Sequence, residues 1–227
     1  MSTTENIQSS KAKKMWIPIL VILLIAALVF GVRQYMSSSL FTVMKVPEFS
    51  LKDQNNKTIT DKDMLGKVYL VEFFFSRCPT ICPVMNTNMR HIEEEINDPN
   101  FGIISISIDP ENDTPEILKE HAKKIGAKSP NWHFLTGDRT YIGDVAKKFE
   151  IYVGDQKDKA ESLNHSGEIA LVDKDGNIRC RFGKDGMPIL YYSGLNYEDE
   201  AGTKASLVGK YHPDRELLIE DIKKLLK

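Results

Sequence analysis

The stretch KVYLVEFFFSRCPTICP, residues 67–83, decides the fold. Its first nine residues form a nearly continuous apolar run rich in β-branched and aromatic types, which predicts a strand covered on both faces. Beyond the two cysteines, Met85, Met89, Ile92 and Ile96 recur at spacings of four, three and four, which predicts an amphipathic helix. A buried strand therefore passes straight into a helix, with Cys78 and Cys82 at the junction. Further on, FGIISISI at 101–108 predicts a second strand, ended by Asp109 and Pro110. Thr114 caps the next helix and Pro115 opens it, proline being at home in the first helical position. A short strand over 132–135 and a helix over 138–149 follow. EIALV at 168–172 and NIRCRF at 177–182 predict two strands joined by the turn DKDG. An amphipathic helix over 213–226 closes the chain.

Strand–helix–strand, further helix, hairpin and final helix together predict an α/β fold, a thioredoxin-like three-layer sandwich. Residues 184–208 fit no element of it. Their Gly, Tyr, Asn and acidic residues predict a surface insertion.

The chain has 227 residues, with 30 basic and 32 acidic side chains and a net charge of -2. Hydrophobic content of 41% and charged content of 27% exclude a disordered chain. A polytopic membrane protein is excluded too, because only one segment, 15–32, runs 18 residues without a charge. That length predicts a single transmembrane helix at 15–33. Lys11, Lys13 and Lys14 precede it and Arg33 alone follows closely, so the positive-inside rule assigns 1–14 as a cytoplasmic tail. The alternative, a cleaved signal peptide, would have a shorter apolar region and an A-x-A site, and no such site follows. Residues 34–45 read as a linker and 46–227 as one extracytoplasmic domain. Setting aside the five basic and one acidic residue of the first 45 leaves that domain 25 and 31, a balance of -6. Nucleic acid is therefore not an expected partner. The N-terminus lacks the Arg-rich, acid-poor pattern of a transit peptide, which favours a bacterial inner membrane with the domain in the periplasm.

Cys78 and Cys82 stand at a helix N-terminus, where free N–H groups and the helix dipole favour thiolate. One helical turn apart, they lie about 5–6 Å from each other, within disulfide reach. They are equally able to share one soft metal ion. A thioredoxin-type redox pair has two intervening residues, and here there are three. The loop before the hairpin strand faces the cysteine loop in thioredoxin-like folds and generally carries a cis-proline. No proline occurs here between Pro130 and Pro188, and His165 occupies that place. Two thiolates and an imidazole fall short of a closed zinc site, which wants a fourth ligand. They suit copper, the thiolates favouring copper(I) and the imidazole accommodating copper(II). A structural disulfide remains an alternative outside the cytoplasm. Met85 and Met89 read as core rather than soft ligands, and Cys180 as a buried or edge-strand thiol without a role. His91, His121, His133 and His212 read as surface or helix-face residues.

These residues carry a recognisable pattern. The chain resembles the Sco/SenC family of membrane-anchored copper chaperones. The likeness runs through Gly66 to Phe75, CPTICP at 78–83, SIDPENDTP at 107–115, WHFLTG at 132–137, His165 with Ser166, and Leu171 to Asp173. The resemblance implies a thioredoxin-like domain on the outer face of a membrane. It implies copper held by Cys78, Cys82 and His165, received from an upstream copper donor. Delivery would be to the copper-centre subunit of cytochrome c oxidase, for assembly of its binuclear centre. It also implies an alternative, a thiol-disulfide oxidoreductase in which Cys78 attacks and Cys82 resolves. The chain would be an enzyme only in that second case. Thr80 stands where many members have Asp, and Asn112 where Arg is usual. A peroxidase on the same fold would want a threonine shortly before the reactive cysteine and an upstream proline, and both are missing.

Overall fold

The computed structural model describes residues 3–154, 166–183, 186–195 and 215–227, and within the N-terminal helix the side chains of residues 16–32 and Tyr35. The chain divides into two compact units, Met1–Ser39 with Arg181–Ile189, and Leu40–Cys180 with Leu190–Lys227. In the first unit α1 runs Thr3–Ser38, with Pro18 inside the helix. The side chains of 16–32 are exposed on every face, Leu24 by 68% and Phe30 by 72%. Among the described residues, no helix is long and apolar enough to cross a membrane. The residues expected as a linker are structured instead. They continue α1 to Ser38 and then form β1, Phe41–Lys45.

The second unit continues with β2 (Ser50–Lys52), β3 (Thr58–Thr60), β4 (Val68–Phe74), α2 (Ile81–Ile96), β5 (Phe101–Ser107), α3 (Pro115–Ile125), β6 (Trp132–Leu135) and α4 (Arg139–Lys148). Then come β7 (Glu168–Val172), β8 (Asn177–Phe182), whose last two residues belong to the first unit together with β9 (Pro188–Ile189), and then β10 (Tyr192–Ser193) and α5 (Arg215–Leu226) of the second unit. The main sheet has the order β1-β8-β7-β4-β5-β6. β4 and β5 run parallel, β5 and β6 likewise, and β7 is antiparallel to β4. A strand–helix–strand crossover followed by an antiparallel hairpin is what the pattern of elements predicted.

All seven residues of β4 are buried, as a central strand with helices on both faces requires. Neighbouring residues of a strand point to opposite faces. Phe73 meets Phe149 at the end of α4 edge-on at 5.9 Å, and Phe74 meets His121 of α3 at 5.4 Å. Helices therefore cover both faces, giving three layers. Burying each phenylalanine contributes about 1.5–3 kcal/mol. The α3 cap falls where the sequence puts it, and Asp138, read as the first residue of the next helix, caps it instead. Thr114 accepts from the N–H of Ile117 with Pro115 beginning α3, and Asp138 accepts from the N–H of Tyr141 to begin α4. Gly176 takes a φ of 74° in the β7–β8 turn, a conformation glycine adopts without strain.

Candidate metal centre

The site sits where β4 ends. Cys78 lies in the turn between β4 and α2, its N–H donating to the Phe75 carbonyl at 3.2 Å, and Cys82 lies in the first turn of α2. Neither is in a disulfide, and they are 8% and 2% exposed. Cys78 Sγ is 3.6 Å from Thr80 Oγ1. The Cys82 thiol is pushed far above its ordinary range. Hydrogen bonding with the Cys78 thiol is the largest cause, burial the next, and the Phe75 backbone opposes them. Helix position alone predicted thiolate. Burial and the neighbouring thiol act the other way, toward the protonated form of Cys82. Two contacting thiols form a donor pair for a soft, low-coordinate ion such as copper(I), and binding there releases protons.

His165, the expected third ligand, lies outside the described residues. The backbone that follows it is held: Ser166 N–H donates to the Tyr152 carbonyl at 3.0 Å, and Ser166 Oγ donates to Glu168 at 2.7 Å. Among the described residues, no group of three or more His, Cys, Asp or Glu side chains is arranged to hold a metal. Met85 and Met89 are fully buried, which bears out their reading as core. Cys180 is buried and pairs with Phe41 in the sheet, and burial pushes its thiol up. His121, read as a surface or helix-face residue, lies on the face of α3 that meets the sheet. It packs between Phe74 and Phe134, and its Nε2 lies 3.2 Å from the Asn86 amide. His133 is half-buried near Asp53. His212 lies outside the described residues.

Three features around the thiols escaped the sequence reading. The first is a clamp between the cysteine turn and the β5–α3 loop. Asp113 is fully buried and accepts from Ser76 N–H at 3.0 Å, from the Ser76 hydroxyl and from the Ser107 hydroxyl. Beside it Arg77 donates to the buried Asp109 at 2.8 Å, and Asn112 donates to the same carboxylate. The second is Glu72, fully buried in β4, which accepts from Ser105 Oγ at 2.7 Å. Trp132 Nε1 donates to that serine at 3.0 Å, so a buried polar chain runs under the site. An acid inside an apolar run was the signal that could have revealed it. The third is the hold of residues 192–195 on α2 and β7, for which short strands leave no sequence pattern.

A family model described as SCO1/SenC matches residues 38–196. The chain belongs to the SCO1/SenC family. Its relatives include the SCO1 protein homolog of Bacillus subtilis (strain 168), 32% identical over 137 residues, which are 59% of this chain and 71% of that one. Among solved structures, BsSco belongs to the Sco family of cytochrome c oxidase assembly proteins, and a disulfide switch has been identified in it. BsSco is 27% identical with a TM-score of 0.61, over 82% of this chain and 96% of that one. Bradyrhizobium japonicum ScoI with copper bound is 26% identical with a TM-score of 0.53, over 81% of this chain and 100% of that one. The mixed α/β, thioredoxin-like fold of this SCO1/SenC chain is the one these Sco structures share.

Proposed function

We propose that this chain is a membrane-anchored copper chaperone. It carries one copper ion on Cys78, Cys82 and His165 and delivers it for assembly of the binuclear copper centre of cytochrome c oxidase. The observation that carries the reading is the pair of contacting thiols, not joined in a disulfide, at the β4–α2 junction, a soft donor set on a scaffold shared with a copper-bound Sco protein. Copper is cargo here. The thiols hold it, the clamp through Asp113 fixes the turn that presents Cys78, and burial shields the pair from bulk water. Delivery proceeds by stepwise ligand exchange as the recipient offers soft ligands of its own. The anchor is residues 15–33, a proposal supported by a helix whose apolar side chains at 16–32 are exposed on all sides, an arrangement that lipid rather than water accommodates. The N-terminal tail then lies in the cytoplasm and the copper-binding domain on the periplasmic side of a bacterial inner membrane.

The same contact between thiols favours a second reading, a thiol-disulfide reductant. The Cys78 thiolate attacks an oxidised partner's disulfide, one partner sulfur leaves as thiolate, and Cys82 then displaces the other. The product is a Cys78–Cys82 disulfide and a partner dithiol. Relatedness to BsSco, in which a disulfide switch has been identified, supports keeping it.

Anaerobic copper titration of the reduced chain from Leu40 onward tests the first reading, a boundary chosen because β1 belongs to the sheet. One copper per chain is expected, bound more weakly by Cys78→Ser, Cys82→Ser and His165→Ala. Wild-type affinity and spectrum in His165→Ala would overturn the three-ligand centre. Metal-free reduction of an oxidised copper-centre subunit, unaffected by His165→Ala, would instead establish the reductant.

A further inference from the structure

Part of the stretch read from sequence as a surface insertion is built into the sheet, and it touches both α2 and β7. β10 pairs antiparallel with the start of β7, Tyr192 opposite Ile169 and Ser193 opposite Glu168. Tyr192 is fully buried, and its hydroxyl donates to Asp221 of α5 at 2.8 Å. The next residue bridges two elements. Gly194 N–H donates to the Gly167 carbonyl at 2.7 Å, and the Gly194 carbonyl accepts from the side-chain amide of Asn88 on α2, also at 2.7 Å. Leu195 then packs on Met85, three residues after Cys82, with Ile81 and Val84 beside it.

The packing leaves no slack. A Cβ on Gly194 would stand 3.2 Å from both Met85 Cγ and the Gly167 carbonyl, and one on Gly167 would stand 2.6 Å from Leu195. Asn88 is only 2% exposed. Asparagine is a poor helix former, and a buried amide is tolerated where its hydrogen bonds are made. Its bond goes to main chain in the strap, which in turn bonds main chain two residues after His165 in sequence. The relay Asn88–Gly194–Gly167 therefore links the helix that carries Cys82 to the backbone that enters β7.

We propose that residues 192–195 are a positioning strap, with Asn88 as its anchor, that holds the segment following His165 in register with the cysteine helix so that thiols and imidazole act as one ligand set. The proposal rests on the copper-centre reading for what is positioned. It does not rest on it for the mechanical link. Partners that orient metal ligands from behind typically change affinity by about 10–100-fold when removed.

The test uses the full-length chain in detergent, with Asn88→Ala and Leu195→Ala as strap variants. Asn131→Ala is the control, since that asparagine likewise donates to main-chain carbonyls, those of Pro99 and Phe101, at the far end of the sheet. Asn88→Ala is expected to lower copper affinity about tenfold, to alter the copper(II) absorption and electron paramagnetic resonance spectra, and to speed amide exchange at Ser166–Glu168. Asn88→Ser, which restores a donor, should recover part of each. The control should cost comparable stability and leave spectra and exchange as in wild type. Amide exchange is read without metal, so it judges the strap even if His165→Ala proves to bind copper normally and the functional reading falls. Wild-type exchange at Ser166–Glu168 in both strap variants would overturn the proposal. So would altered exchange with unchanged copper affinity and spectra in a protein whose binding does depend on His165.

Discussion

Cutting the clamp between Asp113 and the cysteine turn should both destabilise the domain and expose its thiols. Asp113 accepts three hydrogen bonds while fully buried, two from Ser76 and one from Ser107. Hydrogen bonds to a charged group are worth about 1.5–3 kcal/mol each, and a stranded buried donor costs about 1–3 kcal/mol. In Asp113→Ala the two serine hydroxyls can rotate towards other acceptors, but the Ser76 N–H cannot. The expected loss is therefore about 3–5 kcal/mol rather than the full sum, a large share of the ~5–15 kcal/mol of a typical domain. Asp113→Asn keeps one oxygen for the Ser76 N–H and forces one hydroxyl to turn from donor to acceptor, for a loss of about 1–2 kcal/mol. Urea denaturation followed by circular dichroism measures both. Alkylation of Cys78 under native conditions supplies the local readout, because that thiol is only 8% exposed and its turn hangs on Ser76. Alkylation should accelerate in Asp113→Ala well before global unfolding. A loss below about 1 kcal/mol, or a large loss with alkylation unchanged, would refute the argument that this carboxylate holds the cysteine turn.

Burial between aromatic rings pushes His121 below its ordinary value of 6.5, against the pull of Asp113. A depressed folded value means stability is fully present above 6.5 and declines as pH falls below it. His121→Leu should flatten the stability profile below neutrality, and an unchanged slope would count against it. Ser105→Ala removes the acceptor of Trp132 Nε1 and the donor to Glu72 at once. It should cost about 2–4 kcal/mol and shift the Trp132 fluorescence, and a loss within 0.5 kcal/mol would mean that water replaces the hydroxyl. Asp138→Ala deletes the cap of α4, with an expected loss of about 1 kcal/mol by thermal unfolding, while Asp138→Asn should be nearly neutral.

The long elements were legible because their periods are long enough to read. β4 and β5 appear as seven-residue buried runs, and α2 buries Met85, Met89 and Ile92 on one face. The β7–β8 hairpin follows from its turn residues. β2, β3 and β10 hold three, three and two residues, too few for alternation to register. β1 was read as linker because its residues are exposed or half-buried at the sheet margin. The cysteines announced themselves through spacing and position. Asp113, by contrast, reaches Ser76 across 37 positions and Asn88 reaches Gly194 across 106, and separations of that kind leave no local trace.

That last separation bears on how the protein is made. Synthesis proceeds at about 5–20 residues per second, so the cysteine helix waits roughly 5–20 seconds before the residue that Asn88 binds has even been joined to the chain. Closing so long a loop also makes the contact one of the later ones to form. Until then the Met85 face of the helix stands open. A chain cut short before residue 192 would therefore carry both thiols at the N-terminal end of a helix whose Met85 face lacks its Leu195 cover.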